Sequence, residues 1–160
     1  MDNSYLQKEV ADNLSGRGGK FQLNYQGFSD NLCMEIGAVR FRTYIYDVSI
    51  ESDLNFLTLL NLLNRFELRM GKHQESEKGF RQKYVDIMLA LKNKIQHIIL
   101  ITKEIDFVPA VQYVKEEGVM VHLRHADRTH SKELSLDCDT NRPLSKGVLI
   151  EFDGKNGYHR

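Results

Sequence analysis

The chain lacks any long apolar run. Nothing in it approaches the roughly 20 consecutive apolar residues that a helix needs to cross a bilayer, so no membrane partner is expected. Cysteine is nearly absent. Cys33 and Cys138 stand far apart without CxxC spacing, which argues against a disulfide framework and for free thiols in a reducing cytoplasm. An excess of one charge is missing as well, because 22 basic residues balance 22 acidic ones. That balance disfavours a broadly basic nucleic-acid-binding surface but leaves room for a local patch. The opening "MDNSYLQKEV" has neither a basic n-region nor an apolar h-region, so no secretory leader is expected.

What remains fits a globular protein. With 160 residues, 41% hydrophobic and 28% charged, the chain can bury one real core but not two comfortable ones. The expectation is a single domain over 1–152, followed by a frayed tail at 153–160.

Periodicity divides the chain into alternating elements. Leu6, Val10 and Leu14 lie at helical spacing, and a glycine-rich polar loop follows through residue 27. "VRFRTYIYD" alternates, with Val39, Phe41, Thr43 and Ile45 predicted on the buried side of a strand. Ser52 or Asp53 caps a helix striped by Leu54, Leu57, Leu60 and Leu63, and "FELRMGK" reads as the next strand. A helix through Val85, Met88 and Leu89 leads to the apolar strand "IILI", 98–101. From about Phe107 a helix begins with Pro109 in its first turn and stops at Gly118. "VMVHLRH" is then a strand, 131–139 a short helix, and "GVLIEF" a last strand or extended piece. Strands alternating with helices predict an α/β fold, with a mainly parallel central sheet and helices on both faces.

In such sheets chemistry gathers just beyond the carboxyl ends of the strands. Glu104 and Asp106, one residue apart after the 98–101 strand, occupy that position. Two readings are open. Acids at a helix start are favoured by the helix dipole and the orphan N–H groups. Alternatively, the pair holds a hard divalent cation, which takes carboxylate and water ligands. Asp2, Asp47 and Asp86 are further candidates, each equally compatible with a solvated cap, and periodicity does not show that any of them meet.

The pieces "DNSYL", "RTYIYD", "FELRMGK", "RQKYVDIMLA", "HIILITKEIDFVPAVQYVKEEGVMVHL" and "LSLDCD", in this order, resemble the NYN domain (LabA-like) family of the PIN-like nuclease superfamily. The run "DFVP" with its downstream "GVMVHL" is the most specific part. The resemblance implies a PIN-like, Rossmannoid sheet and a metal-dependent endoribonuclease that hydrolyses RNA phosphodiester bonds. It implies Asp2, Asp86 and Asp106 as catalytic acids. With Glu104 they would hold Mg²⁺ or Mn²⁺. Asn3 would orient water or a ligand, and Arg81, Lys83 and Lys103 would face the RNA, where cations position the backbone without reading sequence.

The chain departs from the family pattern in three places. Lys103-Glu104 replaces the family's Gly-Asp, so the ligand is longer and a positive φ at Lys103 would be costly. The lysine ammonium would instead supply part of the cation's charge. The helix carrying Asp86 is shorter by about seven residues, nearly two turns, which keeps its apolar face in phase. Only Met1 stands where an apolar first central strand normally precedes the Asp, so that strand is expected to be missing and two sheet edges exposed. A start upstream of Met1 would supply it. These departures make a catalytically degenerate RNA-binding or regulatory module the alternative. A separate alternative is a protein-interaction domain, with the 54–63 helix or the exposed sheet edges serving a homo-oligomer or another partner.

Two weaker patterns complete the reading. "GRGGK" lacks the phosphate-loop spacing and is expected to be a flexible loop. His122, His125 and His130 suggest zinc, but His122 and His125 point to opposite faces of a strand, and Cys138 is expected to be a buried structural thiol.

Overall fold

A computed structural model describes residues 1–7, 16, 23–47, 60, 62–70, 95–126 and 131–150. It divides into two compact units, Met1–Gly71 with Ser145–Arg160, and Lys72–Leu144.

The second unit is built on three parallel strands, β3 (His97–Ile101), β4 (Met120–His125) and β5 (Thr140–Pro143), in the order β3-β4-β5. Parallel neighbours need a crossover, and each crossover here is helical. A 3₁₀ turn, Ile105–Phe107, and helix α3 (Val108–Glu116) join β3 to β4, and helix α4 (Lys132–Asp137) joins β4 to β5. Strand alternation then sorts the side chains. Leu100 and Leu123, partnered in register, face Phe107, Val111, Val114 and Leu134 and form the core of this unit. Leu123 and Leu134 are fully buried, each contributing about 1.5–3 kcal/mol relative to exposure. Pro109 sits in the first turn of α3, where its missing N–H costs nothing. Gly118, at φ +81°, reverses the chain so that its N–H donates to Lys115 O and Val119 N–H donates to Val114 O. Ser131 caps α4 through its hydroxyl, which accepts from Leu134 N–H.

The first unit holds the parallel pair β1 (Thr43–Asp47) and β2 (Phe66–Met70). Short helix α1 (Asn3–Tyr5) and helix α2 (Tyr25–Glu35) accompany it. Met1 N donates to Tyr44 O and Tyr46 N–H donates to Met1 O, so Met1-Asp2 runs parallel beside β1. The expected gap at the first central strand is thus bridged by one residue pair, Asp2 with Tyr46. Arg40 locks the approach to this sheet. Its Nε lies 2.6 Å from Asp30, its Nη1 donates to Asn64 O, and its guanidinium lies 4.7 Å from the Phe66 ring centroid. Arg65, at φ 63°, returns a bond from Nη1 to Arg40 O.

The α/β fold with parallel strands agrees with the expectation, while several boundaries differ. β1 begins only at Thr43. Thr43 and Ile45 are buried as predicted, but Val39 and Phe41, which precede the strand, are 89% and 49% exposed. Helix α2 occupies part of the predicted loop. Asn24, read there as a loop residue, is its N-cap and accepts from Gly27 N–H, while Tyr25, Phe28 and Leu32 form its buried face. Strand β5, four mostly exposed residues, carries no apolar pattern to announce it. The predicted last strand instead opens with a 3₁₀ turn, Lys146–Val148, followed by extended Leu149 and a bond from Asn24 N–H to Ile150 O. Of the leucine-striped helix, Leu60 and Leu63 are buried and Leu62 is exposed, while 54–59 lie outside the described residues. Residues 127–130 and 151–160, including His130 and the expected tail, are outside them too.

Gly118 gives a clean test of the α3 stop. A Cβ there meets nothing within 4 Å, so Gly118→Ala should cost only the left-handed backbone penalty. We expect a loss of about 1 kcal/mol in urea denaturation at an unchanged m-value.

Candidate functional site

Parallel strands point their carboxyl ends the same way, and the acids follow that rule in each unit. In the first unit Asp2 bridges Tyr46, one residue before β1 ends at Asp47. The Asp2 side chain caps α1, accepting from Tyr5 N–H at 3.1 Å, so the capping reading holds for this residue. Asn3 follows it and is buried, with its side-chain oxygen accepting from the Tyr25 hydroxyl.

In the second unit Thr102, Lys103 and Glu104 form the turn that leaves β3. Thr102 is buried, and its hydroxyl oxygen accepts from Glu104 N–H at 3.2 Å. Glu104 stands at the N-cap of the 3₁₀ turn in extended backbone, yet its side chain makes no capping hydrogen bond. Asp106 is exposed in the first turn. Glu104 thus makes no cap bond, while Asp106 stands in the first turn, where the helix dipole favours an acid. Among the described non-glycine residues only Arg65 has a positive φ, so Lys103 escapes the backbone penalty foreseen for a lysine at the family's glycine position. Its side chain is exposed beside the two acids.

Asp2 lies in one unit and Glu104 with Asp106 in the other, while Asp86, Arg81 and Lys83 lie outside the described residues. Among the described residues, no three His, Cys, Asp or Glu side chains gather closely enough to hold a metal ion. The acidic donors described at the strand ends, Asp2, Glu104 and Asp106, offer carboxylate oxygens. Their chemistry fits Mg²⁺ or Mn²⁺ and not a soft cation.

Sequence reasoning missed Thr102 and Arg124. A hydroxyl two residues before an acid is a turn signal that identifies Thr102 in principle. Arg124, 2% exposed, stands opposite Ile101 at the carboxyl end of β4. A charge inside an apolar strand is the only sequence hint of it.

Among the described residues, His122 and His125 belong to no metal-binding group, in keeping with the unfavoured zinc reading, and His130 lies outside those residues. His125 Nδ1 bonds Ala126 O, whereas His122 turns to His97 and Thr140. His97 Nδ1 and His122 Nε2 are 3.0 Å apart, with ring centroids 5.3 Å apart. That separation nearly equals the nitrogen–nitrogen distance plus two ring radii, so the nitrogens face each other in line. A proton fits between them, but a metal at ordinary bond lengths does not. Burial holds the His122 pKa below its ordinary value, with His97 and Arg124 adding to the effect. Burial likewise raises the Cys138 thiol to about 11 and pushes the Cys33 thiol up, so neither is a nucleophile at neutral pH.

Parallel strands joined by helical crossovers, with acids just beyond their carboxyl ends, define a protein of the open α/β, Rossmannoid class. A family model for the NYN domain matches residues 3–145, and the chain belongs to that family, a branch of the PIN-like superfamily with a nuclease-like fold. A crystal structure of VPA0982, a protein of unknown function from Vibrio parahaemolyticus, is similar at a TM-score of 0.63 and 14% identity, over 89% of this chain and 91% of that one. At that identity the likeness speaks for the fold alone. No curated protein matches the sequence significantly. Among the described residues, no helix is long and apolar enough to cross a membrane.

The His122 environment predicts a pH dependence of stability. Its folded pKa lies below the unfolded value of 6.5, so the unfolded chain binds the proton first. Stability should be level above about pH 7 and should fall as pH drops through 6.5. Thermal melts across that window should show a smaller fall for His122→Gln than for the wild type.

Proposed function

We propose that this chain is a Mg²⁺- or Mn²⁺-dependent endoribonuclease that hydrolyses RNA phosphodiester bonds. The observation that carries the reading is the turn beyond β3. There Glu104 and Asp106 sit one residue apart at the carboxyl end of a parallel strand. NYN family membership supports both the cation and the nucleic acid.

In this reading Asp106, Glu104, Asp2 and Asp86 hold the cation, and Asp2, Asp86 and Asp106 are the catalytic set. A divalent cation bound there supplies an activated water and neutralises charge on the phosphoryl oxygen. Lys103 stands exposed next to the acids and meets the RNA backbone by charge, as do Arg81 and Lys83. Asn3 orients water or a ligand beside Asp2. The reading takes 1–152 as one NYN domain with a short tail, working in the cytoplasm, where Cys33 and Cys138 stay reduced. Self-association through the 54–63 segment, where Leu62 is 75% exposed, belongs to the same proposal.

A second reading, a catalytically degenerate RNA-binding or regulatory module, is favoured by one observation. Lys103 and Glu104 replace glycine and aspartate at the turn, placing an ammonium beside a longer carboxylate.

Cleavage of a labelled single-stranded RNA with Mn²⁺ or Mg²⁺ separates the two. We expect cleavage by the wild type that EDTA abolishes and Asp106→Asn reduces by at least about a hundredfold. Glu104→Asp should preserve or raise the rate and tighten the cation. Salt-sensitive RNA binding by a folded wild type, with no cleavage and no metal requirement, would instead establish the binding module.

A further inference from the structure

The three-stranded sheet of the second unit treats its two faces differently. Leu100 and Leu123 face α3 and α4, while His97, His122 and Thr140 meet on the other face, one from each strand. His122 is 4% exposed and has a partner at each ring nitrogen. His97 Nδ1 lies 3.0 Å from its Nε2, and the Thr140 hydroxyl lies 2.9 Å from its Nδ1. A hydroxyl donates or accepts as needed, so Thr140 satisfies His122 in either tautomer. The contact with His97 is less accommodating, because one hydrogen fits between nitrogens 3.0 Å apart and two do not. In the neutral pair one ring donates and the other accepts, whichever tautomers are present. A first added proton enters at a nitrogen outside the contact and leaves that bond in place. A second puts an N–H on both facing nitrogens, with no lone pair left to receive either.

We infer that His97 and His122 form a pH-sensitive clasp at the amino end of β3, closed with no added proton or one and opened when both rings are charged. The clasp holds the start of β3 against β4, where Met120, the register partner of His97, donates its N–H to Gln96 O at 2.9 Å. Glu104 and Asp106 follow the opposite, carboxyl end of β3, so the inference does not depend on the nuclease reading. Burial is the main effect opposing a charge on His122. His97, Arg124 and Arg142 oppose it as well, and Asp139 favours it. The pair therefore titrates in two separate steps, and the second, which opens the clasp, comes as pH falls below the ordinary histidine value of 6.5.

The test compares the full chain as wild type and His97→Gln, whose amide keeps a donor and an acceptor for His122 but takes no proton. In nitrogen NMR of the wild-type imidazoles, a scalar coupling between His97 Nδ1 and His122 Nε2 should be present at neutral pH. It should survive the first protonation and vanish with the second. Hydrogen exchange gives the second readout. Corrected for its intrinsic rate, exchange at the Met120 amide should rise roughly tenfold in the wild type between about pH 7 and about pH 5, and stay level in His97→Gln. Exchange at Leu123, fully buried in the middle of β4, should stay level in both. Absence of the coupling at neutral pH overturns the inference, as does an equal Met120 response in the two proteins. So does a rise at Leu123 that accompanies the rise at Met120, since the whole unit would then be unfolding. If His97→Gln does not fold, the coupling and the contrast between Met120 and Leu123 in the wild type decide the matter by themselves.

Discussion

Parallel strand pairing is the constraint on which the rest of this molecule depends. A parallel ladder cannot close through a tight turn, so every neighbouring pair demands a crossover, and in the second unit α3 and α4 serve that need. The crossovers in turn bring an apolar helix face over Leu100 and Leu123, which is where that unit gains its core. Equal strand direction also collects the carboxyl ends on one side, and the turn leaving β3 delivers Glu104 and Asp106 there. Packing and candidate chemistry thus have one geometric origin.

Buried polar groups refine what the apolar core leaves open. Arg40 is held by an ion pair, carbonyl oxygens and an aromatic face, so a nearly buried guanidinium is satisfied where β1 and β2 begin. His122 is pinned between His97 and Thr140 across three strands, and its burial keeps it neutral. Tyr25, Asn3 and Gln7 form the same kind of arrangement beside Asp2. In each case the net gain from a bond is modest, whereas leaving the group unpaired is expensive, so these contacts select one geometry more than they add stability.

The turn at 102–106 separates local from acquired properties. Its acids were recognisable as a pair from their spacing alone. Which acid makes a cap bond is decided by the folded backbone: Glu104 makes none, in contrast to Asp2, which caps α1. The glycine-to-lysine change at 103 looked costly only if φ were positive, and the observed turn does not require it.

The α/β class, strands β2, β3 and β4, the Pro109 start and the Gly118 stop of α3 were all legible in the sequence, because each rests on hydrophobic period or on a residue's own backbone preference. The NYN motifs were legible for a similar reason, being contiguous runs. Other features waited for tertiary structure. β5 is polar and becomes a strand only because β4 offers it an edge. Helix α2 was hidden by Asn24, which in fact caps it, and by Gly27 in its first turn, although Tyr25, Phe28 and Leu32 carry its spacing. The partners of His122 and Asn3 lie 25, 18 and 22 residues away, and no local pattern encodes which distant side chain completes a hydrogen bond. Sequence determines what each segment prefers, while long-range pairing decides which polar groups meet, because those meetings exist only once the strands have chosen their neighbours.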